Sequence, residues 1–291
     1  MPEGVEVEIA RREISYEFTG RHLTSYNFLK GKYYKKAPPL FQIFKYDLCR
    51  ANEFDTPMVL VDVSRRGKLL SLEFQIGEGE DCITWWVCNH FGLHGMYRKN
   101  EQKLVPNYDI FEKEPHVSLE FSIDKKIKPE FLNFYDTSGF GTSFMFFNNP
   151  DKYVKFLNKL AIDIFDDEFT LEQFIENYEI IKKKGLKKFE ICRILINQGY
   201  LCSGIGNYLK CEILYEAKLS PFRDLRDLNE EEIKRLYHSI KLVSERHLYA
   251  NGKNQDLMEV YYKKEDSNGN KVVYEKTPDG KYTYWIPEIQ K

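Results

Sequence analysis

Residues 196–222 read INQGYLCSGIGNYLKCEILYEAKLSPF, and this segment is the most informative about the fold. Apolar residues at helical spacing follow Asn207, and Gly204 and Gly206 interrupt the pattern before it, which predicts two helices joined by a glycine turn. Glycine lets a backbone approach a phosphate closely, and the amides at the second helix's N-terminus are anion donors. Taken alone, the tetrapeptide GIGN is also compatible with an ordinary connection between helices.

The sequence around this segment divides into a strand-rich half and a helical half. Apolar residues alternate on both sides of the SRRGK turn in residues 58–74, and an N-terminal helix is predicted over residues 3–18. The helical half ends in residues 257–289, which alternate again around glycine turns and predict a hairpin. The predicted class is therefore α+β, with a β-sandwich, a helical domain and a terminal hairpin.

The predicted divisions are a sandwich over 1–147, a linker over 148–160, a helical domain over 161–255 and a hairpin over 256–291. The predicted helices of the second half cover 170–184, 186–198, 206–217 and 229–250.

Composition excludes several classes of protein. The chain has 291 residues, 42% of them apolar, which is enough for two folded domains at about 150 residues each. No run approaches the roughly 20 apolar residues of a membrane span, and residues 1–18 lack the apolar core of a secretion signal. We therefore expect an intracellular protein, in the nucleus or cytoplasm. Six cysteines without a CxxC pair predict buried free thiols.

The net charge of −2 does not by itself indicate a nucleic-acid partner. If the chain binds a nucleic acid, its basic surface must be local, and a lysine cluster before residue 190 is a candidate. Its members are Lys182, Lys183, Lys184, Lys187 and Lys188.

The opening Met-Pro-Glu is unusual because removal of Met1 would leave Pro2 as a secondary amine. An α-amino group titrates near pH 8, so its neutral form can attack an electrophilic carbon. The alternative is that Pro2 and Glu3 only begin the first helix well. The motif alone does not decide between a nucleophile and a helix start.

Four segments together resemble the formamidopyrimidine-DNA glycosylase and endonuclease VIII family: MPEGVEVEIA, SRRGKLL, residues 196–222 and the terminal hairpin. The resemblance covers nearly the whole chain, and it implies a helix-two-turn-helix at 196–222. It also implies that Pro2 attacks the sugar C1′ while Glu3 protonates the ring oxygen. Lys68 would serve as acid and base in elimination, and Glu6 would help to position the sugar.

The resemblance further implies a set of DNA contacts. Asn207 and Lys281 would bind the backbone at the lesion, with Lys281 standing where the family has arginine, and His90 and His116 are candidate phosphate ligands. Each histidine is equally compatible with a structural role inside the sheet. Leu93 and Phe140 would fill the space that the everted base leaves.

The terminal hairpin has the form of the family's zinc finger but lacks its cysteines. Isoleucine stands at 286 and 289, and Asn268 and Lys271 occupy the approximate positions of the other pair, so we predict no metal site. The pattern resembles the zincless finger of the endonuclease VIII-like 1 subgroup, which occurs in animals and large DNA viruses. Val260, Val273, Trp285 and Ile286 are predicted to form its apolar core.

The resemblance implies a glycosylase and AP lyase that removes oxidised bases, with pyrimidines and hydantoins favoured, through a Pro2 Schiff base and β,δ-elimination. We expect no cofactor, a monomer, and damaged DNA, double- or single-stranded, as the partner. One alternative is a family member that prefers oxidised purines. Another is a DNA-binding module that has lost catalysis, which would be indicated by loss of Pro2, Glu3 or Lys68; all three are present.

Overall fold

The computed structural model describes residues 2–28, 58–77, 79, 82–99, 102–103, 115–122, 129–185, 188–250 and 254–291. They form two compact units. The first contains Pro2 and Glu6–Leu157, and the second contains Glu3–Val5 and Asn158–Lys291. The chain thus contributes three residues near its start to the unit that holds the helix-two-turn-helix.

The first unit is a β-sandwich preceded by a helix, as predicted. Helix α1 covers Gly4–Phe18 and leads into strands that are joined, in the described residues, as one antiparallel series of nine, in the order β6-β5-β8-β7-β1-β2-β3-β4-β9. The strands are β1 His22–Phe28, β2 Met58–Arg66, β3 Leu69–Ile76, β4 Ile83–His90, β5 Gly95–Lys99, β6 Gln102–Lys103, β7 Val117–Ser122, β8 Glu130–Asp136 and β9 Thr142–Phe147. Helix α2, Pro150–Leu157, follows β9.

Aromatic side chains fill the core of the sandwich. Phe18 of α1 packs on Phe121 with ring centroids 4.8 Å apart, and Trp85 packs on Phe74 at 5.2 Å and on Tyr26 at 5.3 Å. Burying an apolar side chain of this size contributes about 1.5–3 kcal/mol. The apolar face of α1 is thereby fixed against the sheet, which orients the helix that follows Pro2.

Glu13 of α1 gives the sandwich a pH dependence. Burial, and then the charge of Glu17, raises the pKa of Glu13 to about 7, and its Oε2 is buried without a hydrogen-bond partner. A carboxyl whose folded pKa lies above its ordinary value of 4.5 favours folding at low pH, and this contribution is lost as the pH rises through 7. We expect Glu13→Gln to raise the melting temperature at pH 8 and to change it little at pH 4.5. The exposed Glu288→Gln is the control, and equal effects of the two substitutions would contradict the assignment.

The second unit contains four α-helices within the described residues: α3 Leu171–Lys183, α4 Ile191–Ile196, α5 Asn207–Glu216 and α6 Glu230–Tyr249. Among the same residues, two 3-10 helices cover Leu225–Asp227 and Asn254–Leu257. The predicted capping box at Asn229 and Glu232 is confirmed. The predicted helix over 186–198 was too long, because residues 188–190 are not helical and Asn197 takes an extended conformation. Lys187 of the predicted basic cluster lies outside the described residues.

The terminal hairpin consists of β10, Val273–Lys276, and β11, Tyr282–Trp285. The predicted hairpin over 257–289 is confirmed only from Val273 onward: residues 258–264 form turns and bends, because the Glu212 carboxylate accepts the amides of Glu259, Val260 and Tyr261 at 2.8–3.1 Å. These three bonds bend the backbone around one side chain. A carboxylate 47 or more residues earlier leaves no local mark on the alternating pattern.

The apolar core of the hairpin contains Val260 and Ile286 as predicted, but Val272 and Cys211 replace the other two predicted members. Val273 pairs with Trp285, so these two residues share the opposite face of the hairpin. There Trp285 packs on Phe222 and donates to Glu275. Val273 and Trp285 are half-buried on that face, and Val272, which precedes the strand, takes the core position predicted for Val273.

Four of the cysteines, Cys88, Cys192, Cys202 and Cys211, are buried free thiols, as predicted. Cys82 is free but half-buried, and Cys49 lies outside the described residues. Across the described ranges, every helix is too short or too polar to cross a membrane.

Candidate active site

The N-terminal segment carries the candidate nucleophile and an anchored carboxylate. Pro2 and Glu6 are both buried, in the first unit. Glu3, in the second unit, accepts hydrogen bonds from the backbone amides of Gly206, Tyr208 and Leu209 at 2.7, 3.0 and 3.2 Å. These amides begin α5, so the carboxylate caps the helix and its charge is stabilised by the helix dipole.

This arrangement corrects the prediction for the glycine turn. The amides at the N-terminus of α5 were predicted to meet a phosphate, and three of them bind Glu3 instead. The anion at this helix end is therefore a side chain of the protein itself. Sequence reasoning missed the pairing because Glu3 and Gly206 are 203 residues apart.

Two glycines, Gly4 and Gly204, let their backbone segments come close together, and this contact brings Glu3 to the start of α5. The amide of Gly4 donates to the carbonyl of Gly204 at 2.8 Å, and a Cβ on Gly4 would lie 2.9 Å from the Gly204 Cα. Gly204 also has φ +114°, a conformation that L side chains rarely adopt. Gly204 thus serves an internal backbone contact.

Gly4→Ala should damage the site more than the fold. The added methyl group pushes the backbone of residue 4 away from Gly204 and moves Glu3 off the α5 amides. The resemblance implies that Glu3 is catalytic, so we expect turnover on a damaged duplex to fall by about 10²-fold, which is the cost of misplacing a catalytic group by about 1 Å. Gly20→Ala is the control for damage to the fold alone, because its Cβ would meet no atom within 4 Å but its φ of +82° is unfavourable for any side chain. Equal losses in the two variants would contradict this role for Gly4.

Lys68 lies in the two-residue turn between β2 and β3 and is half-buried. Gly67 occupies the first turn position with φ +63°, as such tight hairpins require. The turn is braced by Arg65, which donates from Nη1 to the Gly67 carbonyl at 3.1 Å and from Nε to Glu8 at 2.7 Å. Helix α1 therefore holds the Lys68 turn through two charged side chains.

Glu8 is the centre of this brace and was not identified from the sequence. Burial opposes its ionisation, but hydrogen bonds from Arg11 and Arg12 and the charge of Arg65 outweigh burial and lower the pKa of Glu8 to about 2. Its contribution to stability is fully present above pH 4.5 and is lost as the pH falls toward 2. The Glu8-Arg11-Arg12 spacing of three and four residues was a signal that could have suggested it.

His90 ends β4 opposite Leu69, next to the lysine turn. Burial, with a smaller contribution from the charge of Lys68, lowers the pKa of His90. Its Nδ1 accepts the amide of Gly92 at 3.2 Å, so the neutral ring carries its proton on Nε2. His116 is held in the same way, since its Nδ1 accepts the amide of Asp136 at 3.1 Å.

The two predicted wedge residues stand on adjoining loops of the first unit. Leu93 is 36% exposed and Phe140 is 65% exposed. The loops touch at Gly92, where a Cβ would lie 2.4 Å from the amide nitrogen of Gly141. Asp136 stiffens the second loop by accepting the Gly141 amide at 2.8 Å. Two apolar side chains are thus presented on braced backbone, and their insertion into DNA stays a prediction.

Helix α5 also holds the hairpin. Asn207 donates from Nδ2 to the Tyr282 carbonyl at 2.9 Å, while its Oδ1 is buried without a hydrogen-bond partner. Lys281, the residue before Tyr282, is exposed beside the hairpin turn. One hydrogen bond therefore links Asn207 to the residue next to Lys281, and the binding of both side chains to DNA stays a prediction.

A buried ion pair lies below that surface. Lys210 of α5 contacts Asp279 at 2.6 Å and the Thr283 hydroxyl at 2.8 Å, and the two charged side chains are 0% and 1% exposed. Asp279 also accepts from Thr277 at 2.6 Å. Sequence reasoning missed this pair, whose only trace is a lysine within the apolar positions of α5.

Comparison with known proteins identifies the family. Residues 1–143 match the formamidopyrimidine-DNA glycosylase N-terminal domain, and residues 160–257 match the formamidopyrimidine-DNA glycosylase H2TH domain. The chain belongs to the formamidopyrimidine-DNA glycosylase family. It is accordingly a DNA N-glycosylase, and the resemblance stated from the sequence is confirmed at that level.

Relatives with this name match all or part of the chain. The formamidopyrimidine-DNA glycosylase of Lactococcus lactis is 27% identical over all of both chains. That of Rickettsia bellii is 26% identical over 87% of this chain and 80% of its own, and that of Arabidopsis thaliana is 29% identical over 46% and 35%.

Solved structures share the fold. The Lactococcus lactis formamidopyrimidine-DNA glycosylase bound to DNA with an abasic site superposes with a TM-score of 0.75 at 24% identity, over 99% of both chains. The same bacterium's protein in complex with DNA containing an oxidised pyrimidine gives 0.74 at 23% identity, over 100% of both chains. A MutM protein with DNA containing carbocyclic 8-oxo-G gives 0.72 at 24%, again over 100% of both.

Proposed function

We propose that this protein is a bifunctional DNA glycosylase and AP lyase of base excision repair, which acts on oxidised bases in DNA through Pro2. The proposal rests on Glu3, the residue that follows Pro2. Its carboxylate is held by three backbone amides at the start of α5. A nucleophile must be positioned as well as reactive, and this anchoring fixes the chain one residue away from the amine.

The reaction begins with attack of the Pro2 nitrogen on C1′. The bond from C1′ to the base breaks and the base leaves with the proton released from the Pro2 nitrogen, while the sugar ring opens as its oxygen takes a proton that the Glu3 carboxylate has relayed from solvent. The resulting iminium withdraws electrons and acidifies the 2′ proton. Removal of that proton expels the 3′ phosphate, a second elimination expels the 5′ phosphate, and water then releases Pro2.

The remaining residues have supporting roles in this proposal. Lys68, on its braced turn, exchanges protons during elimination, and Glu6 positions the sugar. Phosphates are bound by Asn207, Lys281, His90 and His116, and Leu93 and Phe140 fill the vacated stack. We also propose that the chain is divided into a β-sandwich domain over 1–147, a linker over 148–160, a helical domain over 161–255 and a finger over 256–291.

Two substrate classes are equally supported. Gly4 and the cysteine-free finger favour oxidised pyrimidines and hydantoins, whereas the family name favours formamidopyrimidines, which are oxidised purines. The test is single-turnover excision on duplexes containing thymine glycol, a hydantoin, 8-oxoguanine, a formamidopyrimidine or an abasic site. Excision of one class at least about tenfold faster assigns the substrate, and absence of both excision and strand nicking on all five duplexes refutes the proposed function.

We also propose that the finger folds without metal and that the chain falls in the endonuclease VIII-like 1 subgroup. Its donor set does not fit zinc, since amide, ammonium and two isoleucine side chains stand at the ligand positions. At one turn of the finger, a carboxylate instead of a metal ion holds the backbone. Asp266 accepts hydrogen bonds from the amides of Asn268 and Asn270 at 2.9 and 2.8 Å and from the Tyr215 hydroxyl at 2.9 Å.

Metal removal should therefore leave the enzyme unchanged. We expect elemental analysis to find no stoichiometric zinc, and overnight treatment with a chelator to change nicking and the melting temperature by less than the error of either measurement. A chelator-sensitive transition, restored by zinc, would contradict the metal-free finger.

A further inference from the structure

Five tyrosine rings form one continuous surface on the second unit, which we call the tyrosine face: Tyr261, Tyr262, Tyr274, Tyr282 and Tyr284. Neighbouring ring centroids are 4.5–5.2 Å apart along the series. Tyr261 and Tyr284 pack against the apolar core of the hairpin, so the surface has a rigid base. None of these rings has a role in the proposed reaction.

The outer rings of the tyrosine face are open to solvent. Tyr262, Tyr274 and Tyr282 are 76%, 54% and 50% exposed. Tyr262 also has φ +59°, a left-handed conformation that is unfavourable for a residue with a side chain. The backbone of Tyr262 is thus strained, and its ring is exposed to solvent while one side of it contacts the rings of Tyr261 and Tyr284.

The charge around these rings favours nucleic acid. Lys276 pairs with Tyr282 across the hairpin and so lies on the same face, and Lys263 and Lys281 are exposed next to Tyr262 and Tyr282 in the chain. Glu275, the acid within the two strands, lies on the opposite face bound to Trp285. Aromatic rings flanked by lysines are the arrangement that stacks unpaired bases while neutralising their phosphates.

The tyrosine face is also continuous with the predicted DNA contacts. Asn207 donates to the Tyr282 carbonyl, and Lys281 precedes Tyr282. We propose that the tyrosine face stacks unpaired bases of the DNA substrate, so that the protein binds DNA with a single-stranded stretch more tightly than fully paired DNA. This rests on the proposed function only in that it takes DNA as the partner.

The test is fluorescence anisotropy with two labelled DNAs, both carrying a tetrahydrofuran abasic analogue: a fully paired duplex, and the same duplex with a five-thymine unpaired stretch beside the analogue. We expect Tyr274→Ala and Tyr282→Ala each to weaken binding of the partly unpaired DNA by roughly tenfold, since stacking on one ring accounts for about that factor. Binding of the paired duplex should change by less than about twofold.

Matched variants separate ring stacking from simple apolar contact and from loss of the tyrosine hydroxyl. Tyr274→Phe and Tyr282→Phe should retain affinity, whereas Tyr274→Leu and Tyr282→Leu should lose it, because leucine is apolar but has no planar ring. Tyr16→Ala and Tyr249→Ala, at tyrosines 89% and 82% exposed elsewhere, should leave both affinities unchanged. Circular dichroism melting confirms that each variant is folded.

Three outcomes would overturn the proposal: equal weakening for both DNAs, full affinity in the leucine variants, or concentration-dependent self-association that the alanine variants abolish. The last would make the face an interface between two copies of the chain. A wild-type protein that binds the partly unpaired DNA through the tyrosine face but never excises or nicks would refute the proposed function alone.

Discussion

Pro2→Gly should reduce borohydride trapping of an abasic-site duplex by roughly 100-fold. Proline condenses to an iminium that is permanently charged, whereas glycine gives an imine that must first be protonated. Proline's ring also fixes rotation about its N–Cα bond, so glycine loses the orientation of the attacking amine, and misplacement of about 1 Å can cost this factor. The measurement is the rate of covalent complex formation, followed on denaturing gels.

The position of the covalent bond between protein and sugar in the trapped complex shows whether Pro2 is the nucleophile. Mass spectrometry of the trapped wild-type complex should place the sugar on the peptide that begins with Pro2, and active protein should lack Met1. Lys68→Met is the control: it should still trap, because Schiff base formation precedes the elimination that Lys68 assists. A cross-link on a lysine, or full activity with Met1 retained, would refute the assignment.

Breaking the buried Lys210–Asp279 pair should be the most damaging change to stability. Asp279→Asn leaves an ammonium group without its counter-charge at a position that is 0% exposed. Removing one partner of a buried pair costs about 3–5 kcal/mol. We expect the melting temperature to fall by roughly 10 °C and the hairpin amides to lose protection from hydrogen exchange.

The double variant Lys210→Met with Asp279→Asn tests whether charge is the reason. It removes both charges and nearly conserves volume, so it should recover most of the lost stability. Breaking the surface pair Lys234–Glu230 is the control, because an exposed ion pair contributes only about 0–1 kcal/mol to the free energy of unfolding. Additive losses in the double variant would show that shape and hydrogen bonds, rather than an unpaired charge, set the cost.

The ion pair also bears on function. It ties α5, whose first turn binds Glu3, to the turn that precedes Lys281. A loss of stability here should therefore be accompanied by weaker DNA binding, even though neither charged side chain reaches the surface.

The sequence by itself determined the elements whose signals are local. Alternation around Gly67 predicted the β2–β3 hairpin, helical spacing after Gly206 predicted α5, and Asn229 with Glu232 predicted the start of α6. The family resemblance placed Pro2, Glu3 and Lys68 as candidates for the same reason, since each lies in a short motif whose residues are adjacent in the chain.

Tertiary structure alone decided what those motifs contact. Glu3 binds amides more than 200 residues away, Glu212 bends residues 259–261, and Lys210 meets Asp279 across 69 residues. Such bonds form because a buried polar group must find a partner wherever the fold provides one, and neither partner leaves a periodic pattern. The same limit explains the misassigned Val273: local alternation shows that a strand exists, but only packing with Cys211 of α5 brings Val272, the residue before the strand, into the core.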